Sequence, residues 1–260
     1  MSFFIFGDVH GDSRALKALI ARARNFSGAD LEIFSVGDLL DRGPNSKEVV
    51  EICLGEGVQG ILGNHELWMH KYLTEGKFDE FALHGAMGGK NTLSSYGVSP
   101  DQKVSAIERD LIAGIPESHR EFFLGLPLSR DLEVGGRKYR LTHGGIPQEA
   151  GMQAQALLVS TTNQIGFALT PEELANNIQV LIRDNQPEIF VWGGAKKNRV
   201  YTFPDGSYQV FGHTPWRGGA EISEEGKYIA LDTGCGTCPP YTLSGVLLTR
   251  DGKRKILTQK

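Results

Sequence analysis

Three short apolar runs near the start of the chain alternate with two amphipathic segments. The runs cover residues 3–6, 31–36 and 58–62, and each has the length and composition of a buried strand. In the segments between them apolar residues recur every three or four positions, as Leu16 and Leu19 do, which is typical of one face of a helix. The order strand, helix, strand, helix, strand predicts parallel strands joined by crossover helices.

The pattern changes twice further along the chain. Residues 75–126 carry mostly helical signals, and we interpret them as a cap segment beside a functional site within a single domain covering 1–260. From Asp131 onwards the pattern predicts mainly hairpins, the first of them around the glycine pair at 135–136. The whole predicts an α/β fold in which a two-sheet β-sandwich is flanked by helices. The stretch 150–170 indicates no clear element.

Composition narrows the range of partners. The formal net charge is −4, so no basic field favours duplex nucleic acid. No apolar run approaches the roughly 20 residues that a membrane span needs, and no secretory signal is evident, so we expect a cytoplasmic protein without a membrane partner. Cys235 and Cys238 form a C-x-x-C motif that could be redox-active or bind metal. Without a second pair, two cysteines in a glycine-rich loop are the preferred interpretation.

Each early strand is followed by a motif rich in glycine and in potential metal ligands. These motifs are GDVHG at 7–11, GDLLDRG at 37–43 and GNHE at 63–66. Because residues just past the carboxyl ends of parallel strands converge on one crevice, we expect the three motifs to meet. Glycine-flanked histidines also follow two later strands, at His143 and His213. Several such histidines together with aspartates favour a shared metal site over a separate structural role for each histidine.

Together with HGG at 143–145 and FGHTP at 211–215, these motifs resemble the phosphoprotein phosphatase branch of the calcineurin-like metallophosphoesterases. The resemblance is closest to bacterial and phage members, which include diadenosine tetraphosphatases. It extends over almost the whole chain, since GGKNTLSSYG at 88–97 and DTG at 232–234 also look like segments of the bacterial branch. The resemblance implies a metal-dependent phosphatase with the calcineurin-like fold.

The resemblance also implies a site for two divalent metal ions. One ion would be held by Asp8 and His10, the other by Asn64, His143 and His213, and Asp38 would bridge them. A carboxylate has two oxygens and can join two cations, while neutral imidazole and amide ligands preserve the positive charge that a phosphate substrate needs. Nitrogen and oxygen ligands without thiolate favour manganese first, then iron or zinc, with magnesium less favoured.

In such sites a hydroxide that bridges the metals attacks phosphorus in line, so that no phosphoenzyme forms. The resemblance implies that His65 is the general acid that protonates the leaving oxygen. Asp41 would orient His65 and raise its pKa, as a carboxylate partner does. Arg42 would clamp the equatorial phosphate oxygens, which its planar guanidinium group fits.

A second phosphate contact is less clear from the sequence. Relatives have an arginine soon after a tryptophan that resembles Trp192, whereas two glycines and Ala195 follow it here. Arg199 can take that role through a shifted loop. Lys196 and Lys197 are the alternatives, and lysine would supply only a point charge.

Three functions remain open at this point. The first is a phosphatase acting on phosphorylated serine or threonine in proteins. The second is a bis(5'-nucleosyl)-tetraphosphatase, which would use the same ligands and a different cap to hold the second nucleoside. The third is a binding module that has kept the fold and lost catalysis; it predicts missing ligands, whereas all six ligands and His65 are present.

Overall fold

Two five-stranded β-sheets and flanking helices form the structure, a computed structural model that describes residues 1–27, 30–164, 168–196 and 199–260. In spatial order the first sheet contains β10 (Arg254–Gln259), β9 (Leu243–Leu248), β1 (Ser2–Phe6), β2 (Leu31–Ser35) and β3 (Gln59–Gly60). The second contains β4 (Ser129–Val134), β5 (Arg137–Thr142), β6 (Tyr208–Phe211), β8 (Tyr228–Ala230) and β7 (Glu221–Ser223). The predicted fold class is confirmed.

Nine α-helices are defined within the described residues. They are α1 (Ser13–Ser27), α2 (Ser46–Gly55), α3 (Asn64–Glu75), α4 (Gly89–Ser95), α5 (Val104–Gly114), α6 (Glu117–Leu124), α7 (Gln148–Gln164), α8 (Pro171–Asn185) and α9 (Glu188–Trp192). Helix α7 occupies most of the stretch for which the sequence indicated no clear element. No helix in the described part of the chain has the length and apolar character needed to cross a membrane.

Strand direction differs in part from the sequence prediction. As predicted, β1, β2 and β3 are parallel, and β4 and β5 form the hairpin around residues 135–136. The second sheet, however, is not mainly hairpins, because β5, β6 and β8 run parallel to one another. Helices α7, α8 and α9 lie between β5 and β6 in the chain and supply the crossover that parallel strands require.

The core lies in layers on either side of the first sheet. Because side chains alternate along a strand, Phe4 and Phe6 of β1 pack with Leu16 of α1, whereas Ile5 packs in the cluster shared by the two sheets. Leu141 of β5 belongs to that same inter-sheet cluster. The sandwich therefore has one core between its sheets and another beneath its helices.

The segment 75–126 is built around its own apolar cluster. Its helices α4, α5 and α6 contribute Leu93, Ile107 and Phe123, which are buried together with Trp68 of α3. Leu40, from the loop after β2, belongs to the same cluster. The segment is thus joined by apolar contacts to the loop that carries several of the predicted site residues.

Arg140 ties helix α8 to the second sheet. Its side chain is buried and donates to Asp131 and Gln179 from Nη1, at 2.8 and 2.6 Å, and to Asp205 from Nη2 at 2.7 Å. Nε donates to Ser207 at 2.8 Å, and the guanidinium group lies over the ring of Phe203. Every donor nitrogen of this buried cation therefore has a partner, as a buried charge requires.

Replacing Arg140 should destabilise the protein strongly. In Arg140→Met the partly buried carboxylate of Asp205 loses its cation. We expect the free energy of unfolding to fall by about 2–3 kcal/mol, somewhat less than the roughly 3–5 kcal/mol for breaking a fully buried pair. Equilibrium unfolding in urea measures this change. Arg183→Ala is the matched control, since the ion pair of Arg183 with Asp184 is exposed and contributes at most about 1 kcal/mol. Equal effects of both variants would contradict the structural role.

Candidate metal and phosphate site

The predicted site residues follow the carboxyl ends of strands from both sheets. In the first sheet β1, β2 and β3 are each followed by site residues, and in the second sheet β5 and β6 are. The residues concerned are Asp8 and His10 after β1, Asp38, Asp41 and Arg42 after β2, Asn64 and His65 after β3, His143 after β5 and His213 after β6. The parallel strands thus bring distant parts of the chain to one edge of the sandwich.

The loops that carry these residues have an unusual backbone. Among the described residues seven non-glycine residues have a positive φ angle, and five of them are predicted site residues. These five are His10, Asp38, Asp41, Arg42 and His213. Left-handed backbone is costly for residues with a side chain, so the surrounding contacts must hold it in place.

Asp38 lies at the centre of the cluster. Its Oδ1 is 3.2 Å from His143 Nε2, and its Oδ2 is 3.6 Å from His10 Nε2. Asn64 Oδ1 lies 3.0 Å from His143 Nε2 and 2.8 Å from His213 Nδ1. Asp38 therefore belongs to both groups of side chains that could hold a metal ion, one with His10 and the other with His143 and His213.

Two of the histidines are oriented by backbone carbonyls. His10 Nδ1 donates to the carbonyl of Leu40 at 3.0 Å, and His143 Nδ1 donates to the carbonyl of Val36 at 2.7 Å. Each ring is left with Nε2 facing the centre of the cluster. This is the arrangement in which a histidine offers a lone pair to a metal while an outer partner sets its orientation.

The buried cluster demands positive charge. His143 Nε2, Asn64 Oδ1 and a carboxylate oxygen of Asp38 face one another at about hydrogen-bond distance. Burial lowers the pKa of His143, but the Asp38 carboxylate outweighs burial and raises it to about 10. Burial and neighbouring cationic groups lower the pKa of His213 to about 4. This donor set of nitrogen and oxygen atoms fits divalent metal ions such as manganese, iron or zinc.

Asp8, which follows β1 of the first sheet, contacts the loop that follows β6 of the second sheet. Both its carboxylate oxygens accept a hydrogen bond from the backbone N of His213, at 3.2 and 3.0 Å. A side chain on Gly212 would collide with Asp8 Oδ1, so only glycine allows this approach. Burial and the neighbouring Asp232 raise the pKa of Asp8. Asp232 follows β8 and is itself buried, with a pKa raised to about 6 by burial.

His65 and Asp41 form a close pair beside the cluster. His65 Nδ1 lies 2.8 Å from Asp41 Oδ2, and both residues are buried. Burial lowers the pKa of His65, but the carboxylates of Asp38 and Asp41 outweigh it and raise the pKa above its usual value. His65 Nε2 is 3.9 Å from Asp38 Oδ2, and with His10 these residues form one of the two groups that could bind metal. The geometry is thus compatible with His65 as an acid and with His65 as a ligand.

The two predicted phosphate-binding arginines lie in different surroundings. The guanidinium group of Arg42 contacts His10 Nε2, so a cationic group satisfies the lone pair that a metal ion would use. Arg199 is exposed, and its Nη1 pairs with Glu149 Oε1 at 3.9 Å, apart from the cluster. Lys196 is also exposed, and Lys197 lies outside the described residues.

Glu66 has a role that the sequence analysis missed. Its Oε2 accepts from the backbone N atoms of Asp38 and Gly63, at 2.8 and 3.1 Å. Its Oε1 accepts from those of Leu39 and Leu40, at 2.8 and 3.0 Å. One buried carboxylate therefore holds the loop that presents Asp38 against the start of α3. The motif GNHE contained this residue, but only the tertiary contacts reveal its function.

The C-x-x-C cysteines lie next to the site without joining it. Cys235 is buried, and its Sγ contacts the carbonyl of Val9 at 3.3 Å. Burial raises the pKa of its thiol, which disfavours thiolate chemistry. Cys238 is half-buried and is not disulfide-bonded. Neither belongs to the two potential metal groups found among the described residues.

The fold and the cluster define a metallophosphoesterase architecture, and comparison with known proteins agrees. The family described as calcineurin-like phosphoesterase matches residues 1–217. The chain belongs to this family, which confirms the family that the motifs predicted.

The curated relatives that we compare share one name. A curated relative from Acidovorax sp. (strain JS42), a symmetrical bis(5'-nucleosyl)-tetraphosphatase, is 24% identical over 193 residues, which cover 73% of this chain and 59% of the relative. The matched region thus spans about three fifths of that relative's length. A relative of the same name from Hamiltonella defensa is 35% identical over 106 residues, which cover 39% of this chain and 34% of the relative.

Two solved structures share the fold over the whole of this chain. One, described as a candidate diadenosine tetraphosphatase, is 18% identical with a TM-score of 0.57, and the similarity covers 94% of it. The other, a protein serine/threonine phosphatase from Saccharomyces cerevisiae, is 16% identical with a TM-score of 0.53, and the similarity covers 80% of it. At these identities the similarity concerns the fold alone.

Glu66→Gln should weaken metal binding. Glutamine keeps one oxygen and turns an NH₂ group towards backbone N–H donors, so the loop that carries Asp38 loses part of its support. We expect the affinity for Mn²⁺, measured by calorimetry, to fall about 10–100-fold, as is usual when a group supporting a ligand is changed. Glu75→Gln, at the exposed end of the same helix, should bind Mn²⁺ like the unmodified protein. Unchanged affinity in Glu66→Gln would contradict this role.

Proposed function

We propose that this protein is a metal-dependent hydrolase of phosphoric monoesters, with phosphorylated serine or threonine side chains of proteins as its leading substrate class. The observation that carries the proposal is the buried His65–Asp41 pair at 2.8 Å, beside the cluster of potential metal ligands. An alkoxide is a poor leaving group, so cleavage of a serine or threonine phosphate benefits from a positioned acid. The raised pKa of His65 means that its imidazole keeps its proton to a higher pH than a free histidine does.

Different residues of the chain would bind the metal ions and the substrate. Asp8, His10, Asp38, Asn64, His143 and His213 would hold two divalent ions, with manganese as the first choice. When bound, these ions activate water and polarise the phosphoryl group.

Arg42 binds the phosphoryl oxygens through its guanidinium fork. His65 gives a proton from Nε2 to the leaving oxygen, while its Nδ1–H stays on Asp41. For Arg199 to bind the same phosphate, it would first have to leave Glu149.

A second candidate is hydrolysis of dinucleoside polyphosphates. The curated relatives support it by name, since each of the two compared above is a symmetrical bis(5'-nucleosyl)-tetraphosphatase. The same cluster would serve this reaction, because it also breaks a bond to phosphorus. A nucleotide is a better leaving group than an alkoxide and depends less on His65. The choice between the two therefore rests on how the leaving group is held.

We also propose that the chain forms one domain in which the segment 75–126 caps the site. Supporting this, Leu40 of the site loop belongs to the same apolar cluster as Leu93 and Phe123 of that segment. The cap and helix α7 are then the elements that distinguish a phosphoprotein from a dinucleotide.

A substrate panel with manganese tests the substrate class. We expect the unmodified protein to hydrolyse a phosphoserine peptide with a higher kcat/KM than diadenosine tetraphosphate, measured as released phosphate and by chromatography of the nucleotides. A clear preference for diadenosine tetraphosphate would replace the first candidate by the second. Absence of hydrolysis of both compounds and of an aryl phosphate would refute the proposed activity.

His65→Asn tests the acid. We expect the variant to keep its bound manganese and to lose about 10²–10⁴-fold in kcat on a phosphoserine peptide, the contribution usual for a positioned acid. Metal content is measured by elemental analysis alongside kinetics. His70→Asn, on the same helix but away from the cluster, is the matched control. Loss of manganese from His65→Asn would identify His65 as a ligand, the alternative that its place near His10 and Asp38 leaves open.

A further inference from the structure

The motif GGKNTLSSYG at 88–97 has no part in the chemistry described so far, although it lies against the loop after β2. We propose that Thr92, on helix α4, is a positioning residue that holds Asp41 and thereby keeps His65 oriented as the acid. The inference rests on the proposed function, since it assigns a role within the same site. It also gives the segment 75–126 a direct connection to the catalytic pair.

The carboxylate of Asp41 is enclosed by three donors. Thr92 Oγ1 donates to Asp41 Oδ1 at 2.6 Å, while Oδ2 receives His65 Nδ1 at 2.8 Å and Trp68 Nε1 at 3.1 Å. All four residues are buried, with Thr92 and Asp41 fully inaccessible to solvent. Thr92 donates to Oδ1, the carboxylate oxygen of Asp41 that does not face His65. Its hydroxyl group therefore fixes the rotation of the carboxylate plane against the imidazole.

The Thr92 hydroxyl group uses its full hydrogen-bonding capacity at this point. An ionised carboxylate can only accept, so the Thr92 proton must go to Asp41. The Thr92 oxygen then accepts from the backbone N of Asp41 at 2.9 Å and from Ser46 Oγ at 2.9 Å. One hydroxyl group thus contacts both the backbone and the side chain of Asp41. A methyl group in place of the Thr92 hydroxyl group would remove the hydrogen bonds to the side chain and backbone N of Asp41 and to Ser46.

The same helix also holds the backbone next to Asp41. Asp41 and Arg42 have φ angles of 69° and 63°, two consecutive left-handed residues with side chains. The backbone N of Arg42 donates to the carbonyl of Gly88 at 3.2 Å, and Asn91 Nδ2 donates to the carbonyl of Arg42 at 2.5 Å. A Cβ atom on Gly88 would lie 2.7 Å from Arg42 N, so this contact requires glycine. The start of α4 therefore stabilises a costly backbone conformation at the acid's partner and at the phosphate clamp.

The side chain of Thr92 contacts residues other than the proposed metal ligands. Its side-chain partners in the described structure are Asp41 and Ser46, neither of which is proposed to bind metal. Removing the hydroxyl group should therefore affect proton donation and leave the metal ligands in place. General-acid catalysis matters most when the leaving group is poor, so the size of the effect should depend on the leaving group.

The test compares two substrates in three variants with manganese bound. For Thr92→Val we expect kcat on a phosphoserine peptide to fall at least about tenfold, and kcat on 2,4-dinitrophenyl phosphate to change less than about threefold. Thr92→Ser keeps the hydroxyl group and should recover most of the lost activity. Ser94→Ala, an exposed position on the same helix, should behave like the unmodified protein. Bound manganese and thermal unfolding are measured for each variant.

Three outcomes would overturn the inference. An equal loss on both substrates, or a loss of manganese, would mean that Thr92 supports the site as a whole. Unchanged activity of Thr92→Val on both substrates, with the unmodified protein active, would exclude the role while leaving the proposed function intact. An unmodified protein inactive on both substrates would instead refute the proposed function itself, and the role of Thr92 with it.

If Thr92→Val does not fold, Ser46→Ala gives a second test. This variant removes the Ser46 hydroxyl group from Thr92 and from the backbone N of Asp41 but keeps the bond from Thr92 to Asp41. It should lower the ratio of phosphoserine to dinitrophenyl phosphate turnover by a smaller factor, about threefold. An unchanged ratio would contradict the inference.

Discussion

The buried carboxylate of Glu66 is the contact on which the geometry of the site depends. It receives four backbone N–H groups, from Asp38, Leu39, Leu40 and Gly63, and so joins the loop after β2 to the start of α3. Asp38 has left-handed backbone, which needs outside support. Burial and the nearby Asp38 raise the pKa of Glu66 to about 7, while the amide donors favour its ionised form.

A second constraint is the concentration of acceptors around Asp38. Carboxylate, amide and imidazole lone pairs converge there from both sheets, and the histidine rings are oriented from outside by the carbonyls of Val36 and Leu40. Bringing such groups together is unfavourable unless a cation is shared among them. The same requirement explains why the guanidinium group of Arg42 contacts His10.

The proposed acid His65 and its partner Asp41 connect this charged centre to the helical segment beside it. Asp41 lies between His65, which faces the cluster, and Thr92, which belongs to α4. If the segment 75–126 recognises the leaving group of the substrate, then the same segment, through Thr92, also orients His65. His65 is the proposed acid that protonates this leaving group. Selection and protonation would share one buried hydrogen-bond network. Among the described residues this network contacts the proposed metal ligands through His65.

The sequence by itself determined the family and the grouping of most site residues. Glycine-rich motifs directly after apolar runs mark strand ends, and the ends of parallel strands converge whatever the rest of the chain does. Tertiary structure alone decided the contacts of Glu66 and Thr92, the pairing of Arg199 with Glu149, and the parallel direction of β5, β6 and β8. Thr92 meets Asp41 across 51 positions of sequence, and no local period encodes such a contact. It arises because the apolar cluster under α4 sets where that helix lies.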